Sequence, residues 1–270
     1  MSSKILLLCL VLLFAGCLFD PGAFLGAGSP DKRFEASEQL PQPIAPLVAD
    51  TSNFRFLVIS DVHYGRRDSG LIYAELYRQS NPYDFLMVNG DITQTGSTEE
   101  WEQFAQDSLG LGVPLYLTIG NHDLFNDGQE LFYSYFGPTH YQFMVGNLQL
   151  VIFDTANGAT SQKTKKWYEN LLLQTPATSV ITLTHYSYLT GKIQKMVTIP
   201  NPEEFYWLVN TNATFGVDAM ISGHLHTNLE QTFRGTYYNT VANSSNSDEM
   251  QGLMVHYQSG LLTYERIRLH

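Results

Sequence analysis

The sequence predicts an α/β domain in which helices cover sheets. Short apolar runs alternate with helical patterns from Phe54 onward, and hairpin-like alternation follows them in the middle and at the end of the chain. Hydrophobic residues make up 44% and charged residues 15% of the 270, without low-complexity bulk, which suits a globular protein with one substantial core.

Each element has its own signal. "FRFLVIS" (54–60) reads as a buried strand, followed by a helix around 71–79 and a second strand in "YDFLMVN" (83–89). Ser97 and Glu100 have capping-box spacing and open a helix through about Leu109. "PLYLTI" (114–119) is a third strand, and "YQFMVGNLQLVIFDT" (141–155) a hairpin turning near Gly146 and Asn147. A helix near 163–174 precedes the strand "SVITLTH" (179–185), and another near 202–210 precedes "VDAMISG" (217–223). The tail alternates around Ser259 and Gly260 as a last hairpin.

The domain boundaries come from composition. Lys4, the apolar run "ILLLCLVLLFA" and the small residues before Cys17 mark residues 1–16 as an export signal, too short for the roughly 20 residues of a membrane span. "LFAGC" resembles the bacterial lipobox, with Cys17 lipidated; Phe14 stands where Leu is usual. Residues 17–52, rich in Gly and Pro without periodicity, read as a flexible tether with a reach on the order of 30 Å. The folded domain is then expected over 53–270. This places the domain on the periplasmic side or cell exterior, in contact with a membrane through its N-terminal lipid anchor alone. Both cysteines lie in the leader, so the exported part has no disulfide, thiolate metal site or Cys nucleophile. A net charge of −11 offers no footprint for nucleic-acid polymers, and any phosphate must meet local positive charge such as metal ions.

The metal-capable residues fall at strand ends. "SDVHYG" places Asp61 and His63 after the first strand, "NGDITQTG" places Asp91 after the second, and "GNHD" places Asn121, His122 and Asp123 after the third. "THYSY" and "SGHLHTN" place His185, His224 and His226 after two later ones. Alone, each Asp is more often a turn or cap residue and each His a satisfied polar group. Ligands in open α/β sheets gather beyond the carboxyl ends of strands, where five such ends converge. Five of the eight histidines belong to this set, whereas His140, His256 and His270 do not.

The ordered set D-x-H, G-D, G-N-H-D, H and G-H-x-H resembles the signature of the calcineurin-like metallophosphoesterases, from Phe54 to about Asn228. That resemblance implies a four-layer α/β/β/α sandwich with two divalent metal ions at its rim. Asp61, His63 and His226 would hold one ion, Asn121, His185 and His224 the other, and Asp91 would bridge them. Such mixed oxygen and nitrogen donors suit Mn, Fe or Zn. The implied reaction is hydrolysis of a phosphomonoester or phosphodiester in a small phosphorylated, nucleotide-like substrate, by attack of a metal-bridging hydroxide. Asn121 and His122 would also meet the substrate, with His122 stabilising phosphoryl oxygens or protonating the leaving alkoxide. Asp123 would either hydrogen-bond the His122 imidazole or cap a helix. Arg66 and Arg67 either supply charge to the phosphate or form a solvated loop pair. Spacing is similar to the bacterial cyclic-nucleotide phosphodiesterase-like branch, although His185 is followed by Tyr186, Ser187 and Tyr188 where many relatives continue His-x-Pro. The contrasting expectation is a non-catalytic, lipid-anchored metal- or ligand-binding protein that keeps the fold.

Overall fold

Two sheets stack because the apolar runs of their central strands, such as 85–89 in one and 148–152, 179–183 and 219–222 in the other, are buried on both faces. The computed structural model describes residues 29–66, 70–188, 201–243 and 250–269. In chain order the elements are α1 (Pro30–Ser37), β1 (Asn53–Ile59), α2 (Gly70–Ser80), β2 (Phe85–Asn89), α3 (Thr98–Ser108), β3 (Leu115–Thr118) and α4 (Gly128–Phe136). They continue with β4 (Tyr141–Val145), β5 (Leu148–Ile152), α5 (Gln162–Gln174), β6 (Ser179–Leu183), α6 (Pro202–Phe215) and β7 (Ala219–Ser222). Two hairpins, β8 (Leu229–Phe233) with β9 (Thr236–Thr240) and β10 (Gln251–Gln258) with β11 (Leu261–Arg268), complete the list.

One sheet has the order β11-β10-β1-β2-β3, the other β4-β5-β6-β7-β9-β8. Side-chain alternation sorts the strands' residues between cores. Phe56 and Val58 of β1, Phe85 and Met87 of β2, and Leu150, Ile181 and Ile221 of the other sheet meet between the sheets. Leu57, Ile59, Leu86 and Val88 instead pack against Leu71, Trp101, Phe104 and Phe132 of the helices on one side. Val151, Val180 and Met220 pack against Tyr168, Leu172 and Leu208 on the other. The result is the expected α/β/β/α sandwich. Phe56 and Phe85 stack at 4.6 Å in its middle, and truncating either to Ala should destabilise by about 3–5 kcal/mol.

Local signals account for the helix ends. Ser97 accepts from the Glu100 amide and Glu100 reaches back to the Ser97 amide, a complete capping box. α6 runs five residues beyond the expected end, to Phe215, where Gly216 adopts φ 68° and stops it. α4 and the β8–β9 hairpin have no counterpart among the expected elements, because their sequences alternate too weakly to separate from loop.

Part of the expected tether is folded onto the domain, which corrects the 53–270 boundary. Ser29 caps α1 and Pro30 occupies its first turn. Arg33 forms a bidentate ion pair with Asp154, at 2.6 Å and 3.2 Å. Ser37 bonds Thr139, Glu38 bonds His140, and Phe34 stacks on the His140 ring at 4.0 Å. Further along, the Tyr116 hydroxyl donates to the Ile44 carbonyl, while Ala45 and Val48 pack against the inter-sheet core. Apolar periodicity could not reveal this segment, since polar pairs and one stacked ring fasten its helix. Residues 1–28, including Cys17, lie outside the described residues.

Candidate metal centre

Parallel pairing brings the carboxyl ends of β1, β2 and β3 to one edge of their sheet, and those of β5, β6 and β7 to one edge of the other. Asn89, the last residue of β2, ties the two edges together. Its amide donates to the carbonyls of Thr184 and Ile221. Its own carbonyl accepts from Ser60 and from His185 Nδ1. The loops beyond β1 and β2 pair in parallel: the amides of Asp61, His63 and Tyr64 donate to the carbonyls of Gly90, Asp91 and Ile92.

The ligand-bearing backbone is strained. Asp61, His63, Asp91, His224 and His226 have φ of 54°, 47°, 49°, 69° and 52°, in the left-handed region. Asp and His enter that region more readily than most residues, but five at one edge mark a functional site rather than ordinary turns. Neighbouring glycines permit a different thing, close approach. A Cβ on Gly90 would lie 2.2 Å from His185 Nδ1, and one on Gly120 would lie 2.1 Å from the Asp91 amide nitrogen. Asp91 and His185 could not stand where they do beside any larger residue.

Six of the predicted ligands form two groups that share Asp91: Asp61, His63, Asp91 and His226, and Asp91, His185 and His224. Within each, ligand atoms lie within 4.8 Å of one another. His63 Nε2 stands 3.2 Å from His226 Nε2 and 3.8 Å from Asp91, while His226 Nε2 is 3.3 Å from Asp61. In the second group His185 Nε2 is 3.2 Å from Asp91, and Asn121 Oδ1 joins it at 3.2 Å. Both Asp61 oxygens accept from the His224 amide, and Asp91 accepts from the His122 amide.

The donor chemistry fits cations. A carbonyl can only accept, so His185 Nδ1 carries the proton that bonds Asn89, and Nε2 presents its lone pair to Asp91 and Asn121. Two acceptors facing a third require a positive charge among them; where a proton supplies it, Asp91 and Asp61 outweigh burial and push His185 up to about 9. Burial holds His63 down to about 4 and, with His185 beside it, His224 to about 3, so both imidazoles keep a lone pair free at neutral pH. Burial alone would raise Asp91, yet the surrounding imidazoles hold its carboxyl well below the usual range. Buried carboxylates and neutral imidazoles converging in this way are the donor set of a metal centre.

The remaining predicted residues divide. His122 stands edge-on to His63, with ring centroids 4.7 Å apart, and its Nδ1–H donates to the Gln94 carbonyl at 2.7 Å. That bond fixes its tautomer, a role expected for Asp123. Asp123 neither meets the imidazole nor caps a helix: it is fully buried and accepts from the Thr93 amide and hydroxyl and the Gly120 amide, all at 2.8 Å. It braces the loops carrying Asp91 and Asn121. Arg66 is exposed on the loop after His63, and Arg67 lies outside the described residues. Tyr64 and Tyr188 are core residues, whereas Tyr186 stacks on His224 at 3.9 Å. Sequence reading passed over Asn89 and Gln94. The one available signal was a buried amide ending the apolar run of β2; Gln94 acts through its backbone, which no side-chain motif reports.

A two-sheet sandwich whose rim gathers carboxylates and imidazoles has the build of a metal-dependent hydrolase. The family model described as calcineurin-like phosphoesterase matches residues 54–228, and the chain belongs to that family. It is 26% identical over 210 residues to a probable cyclic nucleotide phosphodiesterase of Rhodopseudomonas palustris, covering 67% of this chain and 74% of that one. Identity to a probable glycerophosphodiester phosphodiesterase of Arcobacter nitrofigilis is also 26%, over 123 residues, 42% of this chain and 45% of the relative. Among solved structures the fold resembles a dimetal phosphatase from Danio rerio, with TM-score 0.68 and 13% identity over 80% of this chain and 96% of that one. It also resembles a purple acid phosphatase from yellow lupin seeds, with TM-score 0.69 and 14% identity, covering 83% of this chain but 53% of the plant enzyme.

Proposed function

We propose that the protein hydrolyses phosphodiester or phosphomonoester bonds of a small, nucleotide-like substrate with two divalent ions, Mn, Fe or Zn. The observation that supports this most is the sharing of Asp91 between two ligand groups, since one carboxylate between two cations offsets their repulsion. When bound, such a pair supplies Lewis acidity at the phosphoryl oxygens and activates the attacking water near neutral pH. Asn121 and the six carboxylate and imidazole ligands hold the pair. His122, its Nδ1–H committed to the Gln94 carbonyl, would act as the imidazolium, whose Nε2–H can pass its proton to the leaving alkoxide or hydrogen-bond a phosphoryl oxygen. Asp123 keeps the Asp91 and Asn121 loops in register. Names carried by both phosphodiesterase relatives favour the diester.

The test is turnover of nitrophenyl phosphate and of its bis-ester by protein supplied with Mn²⁺. Cleavage of the bis-ester alone selects the phosphodiesterase. With neither cleaved by metal-loaded protein, the non-catalytic binding reading would replace the hydrolase. Export and lipidation at Cys17 belong to the same proposal, supported by the leader sequence. Cys17→Ser should release the protein from the membrane fraction of cells expressing it, and unchanged sedimentation would count against the anchor.

A further inference from the structure

Arg33 lies before the stretch shared with the family, yet only 3% of it is exposed. A guanidinium is buried at considerable expense in solvation, so its partner and what that partner holds matter. Asp154 takes both prongs of the fork and at the same time accepts the Ala156 amide at 2.8 Å, which closes the turn beyond β5. Inside that turn Thr155 is fully buried, and its hydroxyl accepts the Tyr186 amide at 2.9 Å. The Tyr186 ring then lies on the His224 imidazole, with centroids 3.9 Å apart and planes 23° from parallel, and stands edge-on to His185 at 5.8 Å. Four consecutive contacts thus run from the N-terminal helix to two imidazoles of one ligand group.

We infer that Arg33 is a positioning residue of the metal centre, acting through Asp154, Thr155 and Tyr186 on the His224 ring. The reading rests on the proposed function, because it concerns how tightly that group holds its ion. Without Arg33, a buried carboxylate is left uncompensated, the 154–156 turn loosens, and the platform under His224 loses its fixed height. Arg33→Lys keeps the charge but not the fork and should fall between the wild type and Arg33→Met.

Mn²⁺ binding to the full-length protein, followed by calorimetry below the melting temperature of each variant, tests this. Arg33→Met should weaken one of the ions by about tenfold, the low end of the effect of outer-shell partners, and leave the other nearly unchanged. In a Tyr186→Ala background the same substitution should do almost nothing further, because the path has already been cut. Equal affinity for wild type and Arg33→Met overturns the inference while leaving the hydrolase standing, and so do losses that add fully across the two positions. Wild-type protein that takes up no Mn²⁺ sinks both. Should Arg33→Met not fold, the Lys variant carries the same cycle with a smaller expected shift, and its matching the wild type would be equally damaging.

Discussion

His185 has no exposed side-chain surface and commits its Nδ1–H to a strand carbonyl, whereas His226, in the other ligand group, leaves 41% of its side chain exposed and meets the Asn243 amide at 3.3 Å. The contrast extends to their companions. His224 has Tyr186 stacked on its ring and its backbone amide bonded to the Asp61 carboxylate, while the buried Nδ1 of His63 has no hydrogen-bond partner among the described residues. Both His185 and His226 have their second ring nitrogen bonded, but the anchor of His185 is buried in the strand edge while that of His226 lies at the exposed rim, where water competes for it. The group of Asn121, His185 and His224 is therefore a rigid seat, and that of Asp61, His63 and His226 an accessible one. Asp91 belongs to both, so the difference can be probed by removing first what they share and then what each owns.

The largest effect should come from Asp91→Asn. Both groups lose their common charge, and turnover should fall by at least about 10³-fold, some 4 kcal/mol in the barrier. Elemental analysis should find metal missing. Full occupancy of two ions in this variant would break the shared-ligand reading. His122→Asn comes next. Its imidazole anchors to Gln94 and ligates nothing, so both ions should stay while kcat drops by about 10²–10⁴-fold. A rate close to wild type would remove His122 from the chemistry.

Chelation sharpens the comparison itself. With increasing chelator the two ions should leave in two steps, the one held beside exposed His226 first. Asn89→Ala removes the amide that ties Thr184 and Ile221 to the β2 edge, loosening the rigid seat only. It should weaken the late-leaving ion by about tenfold and draw the two steps together. Loss of those two buried hydrogen bonds also lowers stability, by about 2 kcal/mol in denaturant melts. Simultaneous release in the wild type would mean that the seats do not differ.

Much of this was legible beforehand, and the limits have physical causes. The convergence of Asp61, His63, Asp91, His185, His224 and His226 on one rim could be read, because strand ends deliver such donor atoms at fixed places in the sequence. Helices covering sheets followed from the unbroken apolar runs of buried strands, whereas the four-layer sandwich came from the family resemblance. Of what escaped at the site, three residues show why. Gln94 works through a carbonyl that every residue carries. Asp123 looked like the orienting acid of the adjacent imidazole because adjacency in sequence suggests contact, yet the turn at 122–127 sends its carboxylate back to Thr93 and Gly120. Arg33 sat in a stretch whose composition resembles a linker, and its partner lies 121 residues away. Motifs report chemistry at the ion well and long-range bracing hardly at all.

The smallest effect belongs to Arg66, and it decides between the two readings left open for that residue. It follows His63 by three positions, on the loop of the more accessible group, and is exposed. A surface charge in water contributes about 0.2–1 kcal/mol to an ion pair, so a guanidinium that meets the substrate phosphate from there can change binding by no more than about fivefold. Arg66→Ala should accordingly raise KM by about two- to fivefold at low salt, leave kcat alone, and lose even that effect near 1 M salt, where the screening length shrinks to about 3 Å. A fall in kcat would place Arg66 against the transition state. An unchanged KM at low salt would leave it a solvated loop residue.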